Sequence, residues 1–169
     1  MLDVLRRFRE WRAAGARIFF GHDAEFWATV PQAPCAALAS DDDRAHLVLA
    51  RDPEAIVLLN KFPYGSGHLL VAPRAHIGRP EELPDPAHIA LANMVRRSAV
   101  ALRAAFAPEG MNIGMNVGRI AGAGVADHCH WHLLPRWGAD TNFMPLIAEV
   151  RVMSEHLDAT YDRLRPHFA

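Results

Sequence analysis

Three histidines at alternate positions, His128, His130 and His132, stand in the run His128-Cys129-His130-Trp131-His132. Along an extended strand, side chains at i, i+2 and i+4 share one face. The three imidazoles are therefore predicted to point together, while Cys129, Trp131 and Leu133 form an apolar face turned inward. Such a face suits more than one chemistry. A neutral imidazole is a nucleophile near neutral pH without a separate base, and attack on phosphorus forms a phosphoramidate that divides one displacement into two. A pair of histidines on a strand is equally a chelating motif. Geometry limits that reading: at the strand rise, His128 and His132 lie about 13 Å apart, so one ion takes two neighbours more readily than all three. Asp127, the nearest carboxylate in the chain, falls on the opposite face. A structural cluster of hydrogen-bonded histidines is the third reading.

Just before this run stand Asn116 and the glycine-rich stretch Gly118-Arg119-Ile120-Ala121-Gly122-Ala123-Gly124. Successive glycines let backbone N–H groups converge on an anion. The plainer reading is a tight turn between two strands. Beside three histidines the loop makes half of a phosphate site, in which N–H groups and a neighbouring imidazole stabilise charge on the non-bridging oxygens. No metal is required by this chemistry, although charge on a leaving polyphosphate can recruit Mg²⁺.

These residues need elements to position them. Residues 46–50, 55–59 and 68–72 read as strands from their apolar and β-branched content. The connector 60–67, rich in Pro and Gly, reads as a loop. Pro84 and Pro86 open a helix over 87–106, with Ile89, Leu91, Met94, Val95, Ala99 and Leu102 as its apolar positions, and Pro108-Glu109-Gly110 ends it. Strands are predicted over 111–117, over 128–134 (stopped by Pro135) and over 146–153, with a terminal helix over 155–164. Residues 1–15 read as a docked helix closed by Gly15, with Leu5, Phe8 and Trp11 on helical spacing. The acidic run Ser40–Asp43 is a solvated turn, lacking the glycine and distal glutamate of a calcium loop. The fold class is α+β, mostly antiparallel strands with a long helix on one side of the sheet.

Bulk properties set the bounds. The 169 residues suit one domain with a core, at 51% apolar and 22% charged residues. A net charge of −1 argues against a non-specific nucleic-acid binder and leaves room for small anionic ligands. Two cysteines, Cys35 and Cys129, make no disulfide framework, which fits a reducing, cytoplasmic setting. The arginine-rich N-terminus has no continuous apolar core of a signal peptide. No apolar run approaches the ~20 residues of a membrane span, so neither membrane nor nucleic acid is an expected partner.

The run His128-Cys129-His130-Trp131-His132-Leu133-Leu134 resembles the signature of the histidine-triad (HIT) family. Ala121 to His128 and Pro135-Arg136-Trp137-Gly138 onward to Met144 look like the branch that cleaves diadenosine tetraphosphate by hydrolysis or phosphorolysis. Asn60-Lys61-Phe62-Pro63-Tyr64, Gly67-His68 and Pro73-Arg74-Ala75-His76 match as well. The resemblance covers residues 43–166 of a single domain, 1–169, with 1–34 as an N-terminal extension. It implies a five-stranded antiparallel sheet with a long helix, paired as a homodimer. It also implies a nucleotidyl hydrolase or transferase with His130 as the adenylylated nucleophile, His132 against the reacting phosphate and His128 orienting the strand through a backbone hydrogen bond. Asn60 would meet ribose hydroxyls, Phe62 would wall the base pocket, Asn116, Gly122 and Gly124 would hold the α-phosphate, and His68 would support the active-site strand. A nucleoside phosphoramidate hydrolase and a nucleotide-binding regulatory protein with little turnover are the alternatives. Many relatives hold a structural zinc with a Cys-x-x-Cys pair and two histidines. Here Gln32-Ala33-Pro34-Cys35 offers one cysteine beside His76 and His128, so a zinc site is not expected. The serine or threonine that some relatives carry near Gly124 is absent too.

Overall fold

Ala55–Leu59, a run of five apolar residues without alternation, forms a strand buried at every position, the pattern of a strand covered on both faces. It anchors the sheet in a computed structural model that describes residues 33–138 and 156–169. The expected helix over 1–15 and strand over 146–153 lie outside the described residues. In chain order the principal elements are α1 (Ala33–Leu38), β1 (Val48–Arg51), β2 (Ala55–Leu59), β3 (Leu69–Pro73), α2 (Asp85–Phe106), β4 (Gly110–Met115), β5 (Trp131–Arg136) and α3 (Leu157–Leu164). The strands make one five-stranded antiparallel sheet in the order β1-β2-β3-β5-β4. The α+β class and the long helix expected from the sequence are both present.

Alternate residues of β2 divide the core. Ala55, Val57 and Leu59 face α2, where they join Leu69, Val71, Leu91, Met94, Leu102 and Leu133. Ile56 and Leu58 face the other way and pack with Val48, Leu70, Ala72 and Ala37 of α1. A helix on one side only was expected; α1 covers part of the second face. Within α2 the buried residues Ala87, Ala90, Leu91, Met94, Ser98, Ala101 and Leu102 recur at three- and four-residue steps. Ile89, expected on that face, is exposed instead, because the buried stripe follows Leu91 and Met94, on roughly the opposite side of the helix. α2 ends at Ala107, which adopts a left-handed conformation with φ 44° and returns its N–H to the Arg103 carbonyl. α3 docks at the far edge of the sheet, where the Tyr161 hydroxyl donates to the Val48 carbonyl at 3.0 Å.

The histidine strand is shifted from its expected span. β5 runs from Trp131 to Arg136, so His128, Cys129 and His130 precede it and Pro135 lies inside it. Pairing explains both ends. Pro135 sits opposite Met111 of β4, but β3 begins at Leu69 opposite Leu133, so β5 has a partner strand on one side only at the proline, where a proline is tolerated. At the other end β4 stops at Met115 opposite Trp131 and turns away. The segment leading into β5 is held by other means, described next.

Candidate active site

His128 is fully buried and spends its side chain on structure. Its Nε2 donates to the carbonyl of Pro73, the last residue of β3, at 2.8 Å. Its ring stands edge-on to His76 at 5.1 Å between centroids. One residue on, the Cys129 N–H donates to the Ile77 carbonyl at 2.8 Å. Directly after the second tie, Gly78 lies flat against the incoming chain: a Cβ built there would come within 2.5 Å of the Ala126 carbonyl oxygen and 3.0 Å of the Asp127 Cα. Thus the chain after β3 clamps the chain before β5. The triad has more than one set of partners. It divides into a His128–His76 pair on the structural side and a cluster of His130, His132 and His68. The opposite face behaves as expected for Cys129 and Leu133, both buried, while Trp131 is half-buried.

His130 contributes the chemistry of a fixed tautomer. Its Nδ1 lies 2.8 Å from the His128 carbonyl, and a carbonyl only accepts, so the neutral ring carries its proton on Nδ1 and an electron pair on Nε2. The ring is 6% exposed, and burial pushes its pKa below the ordinary histidine value against a smaller upward pull from that hydrogen bond. Its neighbour His132 stands 4.8 Å away, near-perpendicular.

A chain of donors fixes His132 in turn. The Tyr64 N–H donates to His68 Nδ1 at 3.1 Å, which leaves the His68 proton on Nε2. That proton is donated to His132 Nδ1 at 2.9 Å, so neutral His132 carries its own proton on Nε2. One imidazole of the cluster is therefore a lone-pair donor at Nε2 and the next a hydrogen-bond donor at Nε2. Burial first, then the neighbouring histidines, pushes His68 down to about 3 and His132 to about 4. Both stay neutral well below pH 7.

These depressed values make stability pH-dependent. In the unfolded chain the same histidines titrate at ordinary values near 6.5. Between that pH and the folded values, the unfolded state binds more protons, so stability rises with pH across this window. The contribution is fully present above about pH 6.5 and is lost as pH falls toward 4. The urea midpoint is accordingly expected to be lower at pH 5 than at pH 7, and a His68→Gln variant should show a shallower dependence.

The remaining expected site residues gather around this cluster. Asn60, at the end of β2, places Nδ2 3.4 Å from His68 Nδ1 and accepts the Phe62 N–H on Oδ1 at 2.9 Å. Phe62 is half-buried. Asn116 follows β4 directly, next to the start of β5, and its Nδ2 donates to the Gly122 carbonyl at 3.4 Å. The glycine-rich stretch forms a single 3-10 turn, Arg119–Ala121, with Gly118 at φ 80° and Gly122 at φ 89°. The N–H groups of Ala121, Gly122 and Ala123 close this turn on the Gly118 and Arg119 carbonyls. The expectation that successive N–H groups of this loop converge on an anion is thereby corrected for those three. What Gly122 supplies is a left-handed backbone that an L side chain would strain; Gly124 follows the turn and is half-buried. Missed from the sequence were Gly78, the carbonyls of Pro73 and Ile77, and Tyr64. Main-chain carbonyls leave no mark in residue type. Gly78 did leave one, as a glycine in no turn-forming pair.

A model of the HIT domain matches residues 43–138. The AP-4-A phosphorylase of Mycobacterium tuberculosis is 32% identical over 139 residues, spanning 82% of this chain and 71% of that protein. Among solved structures, a zinc-bound histidine triad family protein from Mycobacterium smegmatis superposes with a TM-score of 0.64 at 24% identity, over 79% of this chain and 90% of that one. A HIT family member from Bacillus subtilis gives a TM-score of 0.57 at 30% identity, over 74% and 82%. The family match takes in more than half of the sequence, including the full histidine run and the β2–β3 connector that supports it: the chain belongs to the HIT family.

Proposed function

We propose that this protein transfers or hydrolyses a nucleotidyl group, cleaving a nucleoside 5′-polyphosphate such as diadenosine tetraphosphate at the α-phosphate through a covalent His130–AMP intermediate. The observation that carries the reading is the fixed tautomer of His130, a buried imidazole with its proton on the His128 carbonyl and its lone pair at Nε2. Similarity to the M. tuberculosis AP-4-A phosphorylase supports the substrate class.

His130 Nε2 attacks the α-phosphorus and forms the N–P bond as the bridging oxygen leaves with its electron pair on the polyphosphate. His132, a donor at Nε2, steadies the charge on a non-bridging oxygen, and Asn116 and Gly124 bound the phosphate on the side of the loop. Asn60 keeps a second lone pair on Oδ1 for a ribose hydroxyl. Water or inorganic phosphate then attacks phosphorus, the N–P bond breaks, and its electrons return to Nε2.

The M. smegmatis relative is zinc-bound, and the zinc site that the family resemblance implies is tested here by its donors. His76 and His128 are close, but the sequence supplies a single cysteine where the resemblance has two. This donor set does not fit a closed four-ligand zinc site, and the ties of His128 and Cys129 to Pro73 and Ile77 serve the bracing role instead. A homodimer is proposed as well: β4 is the outer strand of the described sheet, with Asn112, Ile113 and Gly114 exposed; light scattering is the test, with twice the chain mass the expected result.

The test is to incubate the protein with diadenosine tetraphosphate, with and without phosphate, and to separate the products. ATP with AMP is the expected result for hydrolysis, ATP with ADP for phosphorolysis, and either should survive prior treatment with a zinc chelator. Tight nucleotide binding without turnover would replace this reading with that of a regulatory binder.

A further inference from the structure

The β2–β3 connector holds an aromatic ring that the mechanism above does not use. Tyr64 is 64% exposed, and exposure alone means little for a single aromatic residue. Its surroundings set it apart. The Tyr64 N–H is tied to His68 Nδ1. The connector closes at Gly67, whose φ is 75° and whose α-carbon packs so close to Pro135, Leu102 and Phe106 that a Cβ would sit 3.1 to 3.3 Å from each. The phenol ring is fixed against the histidine cluster: 4.8 Å from His68 between centroids, and 6.1 Å from His132 with only 23° between the planes. Tyr64 thus presents a preoriented π-surface, open to solvent, almost parallel to the imidazole that contacts the reacting phosphate. Contact steps of 4.8 Å from His130 to His132 and 6.1 Å from His132 to Tyr64 keep it within about 11 Å of the nucleophile's ring, a gap that a short polyphosphate chain spans.

We infer that Tyr64 is a specificity residue that stacks on the base of the departing nucleotide and so favours dinucleoside polyphosphates over mononucleotides with a bare polyphosphate. The inference rests on the nucleotidyl-transfer reading above. The transferred nucleoside is assigned to Asn60 and Phe62 at the start of the connector, whereas the Tyr64 ring lies against His68 and His132. An aromatic platform of this kind accepts any base, since every base has a π-face, and a stacked base contributes about 1–3 kcal/mol in single-strand binding sites. Holding the ring in place beforehand reduces the ordering cost on binding.

Two substrates isolate the effect. Diadenosine tetraphosphate and adenosine 5′-tetraphosphate present the same α-phosphate and the same three departing phosphates, and differ only in whether the leaving group ends in adenosine. The ratio of kcat/KM for the first to that for the second is expected to fall about tenfold in Tyr64→Ala. The ratio should fall similarly in Tyr64→Leu, which retains apolar cover over His68, and be restored in Tyr64→Phe. Equal losses on both substrates overturn the inference and make Tyr64 a positioning residue for His68 and His132. A ratio unchanged in all three variants overturns it as well. A wild-type protein that turns over neither compound overturns the nucleotidyl-transfer reading itself, and the inference with it.

Discussion

Replacing His130 with alanine is expected to lower kcat for diadenosine tetraphosphate by roughly 10⁴- to 10⁶-fold, the scale of losing a covalent nucleophile. Substrate binding should change far less, because Asn60, His68 and His132 remain, so the loss belongs in kcat. The fold should persist: the His130 side chain makes one hydrogen bond, to a carbonyl, and the ties that seat this segment come from His128 and Cys129. Single-turnover assays with product separation measure the effect. Retention of more than a tenth of wild-type activity would refute the covalent mechanism. Glutamine in place of His130 should be as inactive as alanine, since an amide nitrogen lacks the imidazole lone pair.

The second large effect is expected away from the histidines, at Gly78. An added methyl group meets the main chain of Ala126 and Asp127, which cannot rotate aside as a side chain would. Gly78→Ala must displace the segment that enters β5, stretching the His128–Pro73 and Cys129–Ile77 hydrogen bonds. Overpacking of this kind costs about 1–3 kcal/mol, and a shift of about 1 Å in a catalytic group can cost on the order of 10²-fold in rate. Both should be visible, one in the urea midpoint and the other in kcat. Gly110→Ala is the matched comparison, because a Cβ there meets nothing within 4 Å; it should stay within about 0.5 kcal/mol of wild type. Were Gly78→Ala to match Gly110→Ala in both measurements, the clamp would have no mechanical role.

Much of this was legible in the residues. The apolar run 55–59 gave β2 with its bounds intact, since a strand buried on both faces needs no alternation to be recognised. The long helix followed from prolines at one end and Pro108-Glu109-Gly110 at the other. The alternate histidines located the site, and period-two reasoning placed Cys129 and Leu133 inward. It did not foresee the His76 ring beside His128 or the start of β5 at Trp131, after the first three residues of the run. Pairing with β3 and β4 decides that boundary, and neither partner is close in sequence. The glycine loop was found by composition, but which of its N–H groups are free depends on turn geometry that glycine content does not specify. Ile89 went astray for a related reason: on a helix with apolar residues at several angles, the packed stripe is chosen by the sheet beneath it.

The bond between His130 Nδ1 and the His128 carbonyl sets one limit on variation. In many enzymes the group that orients a histidine is another side chain, and a single base change can delete it. Here the orienting acceptor belongs to the main chain, present whatever residue occupies position 128. Substitution at 128 can loosen the segment but cannot remove the oxygen that selects the tautomer. The acceptor itself is therefore kept whatever residue stands at 128, and mutation can reach the tautomer only by moving that oxygen, through the His128 tie to Pro73 or the close approach of Gly78. A screen for inactive variants should recover losses in that short stretch after β3 among residues that never touch substrate.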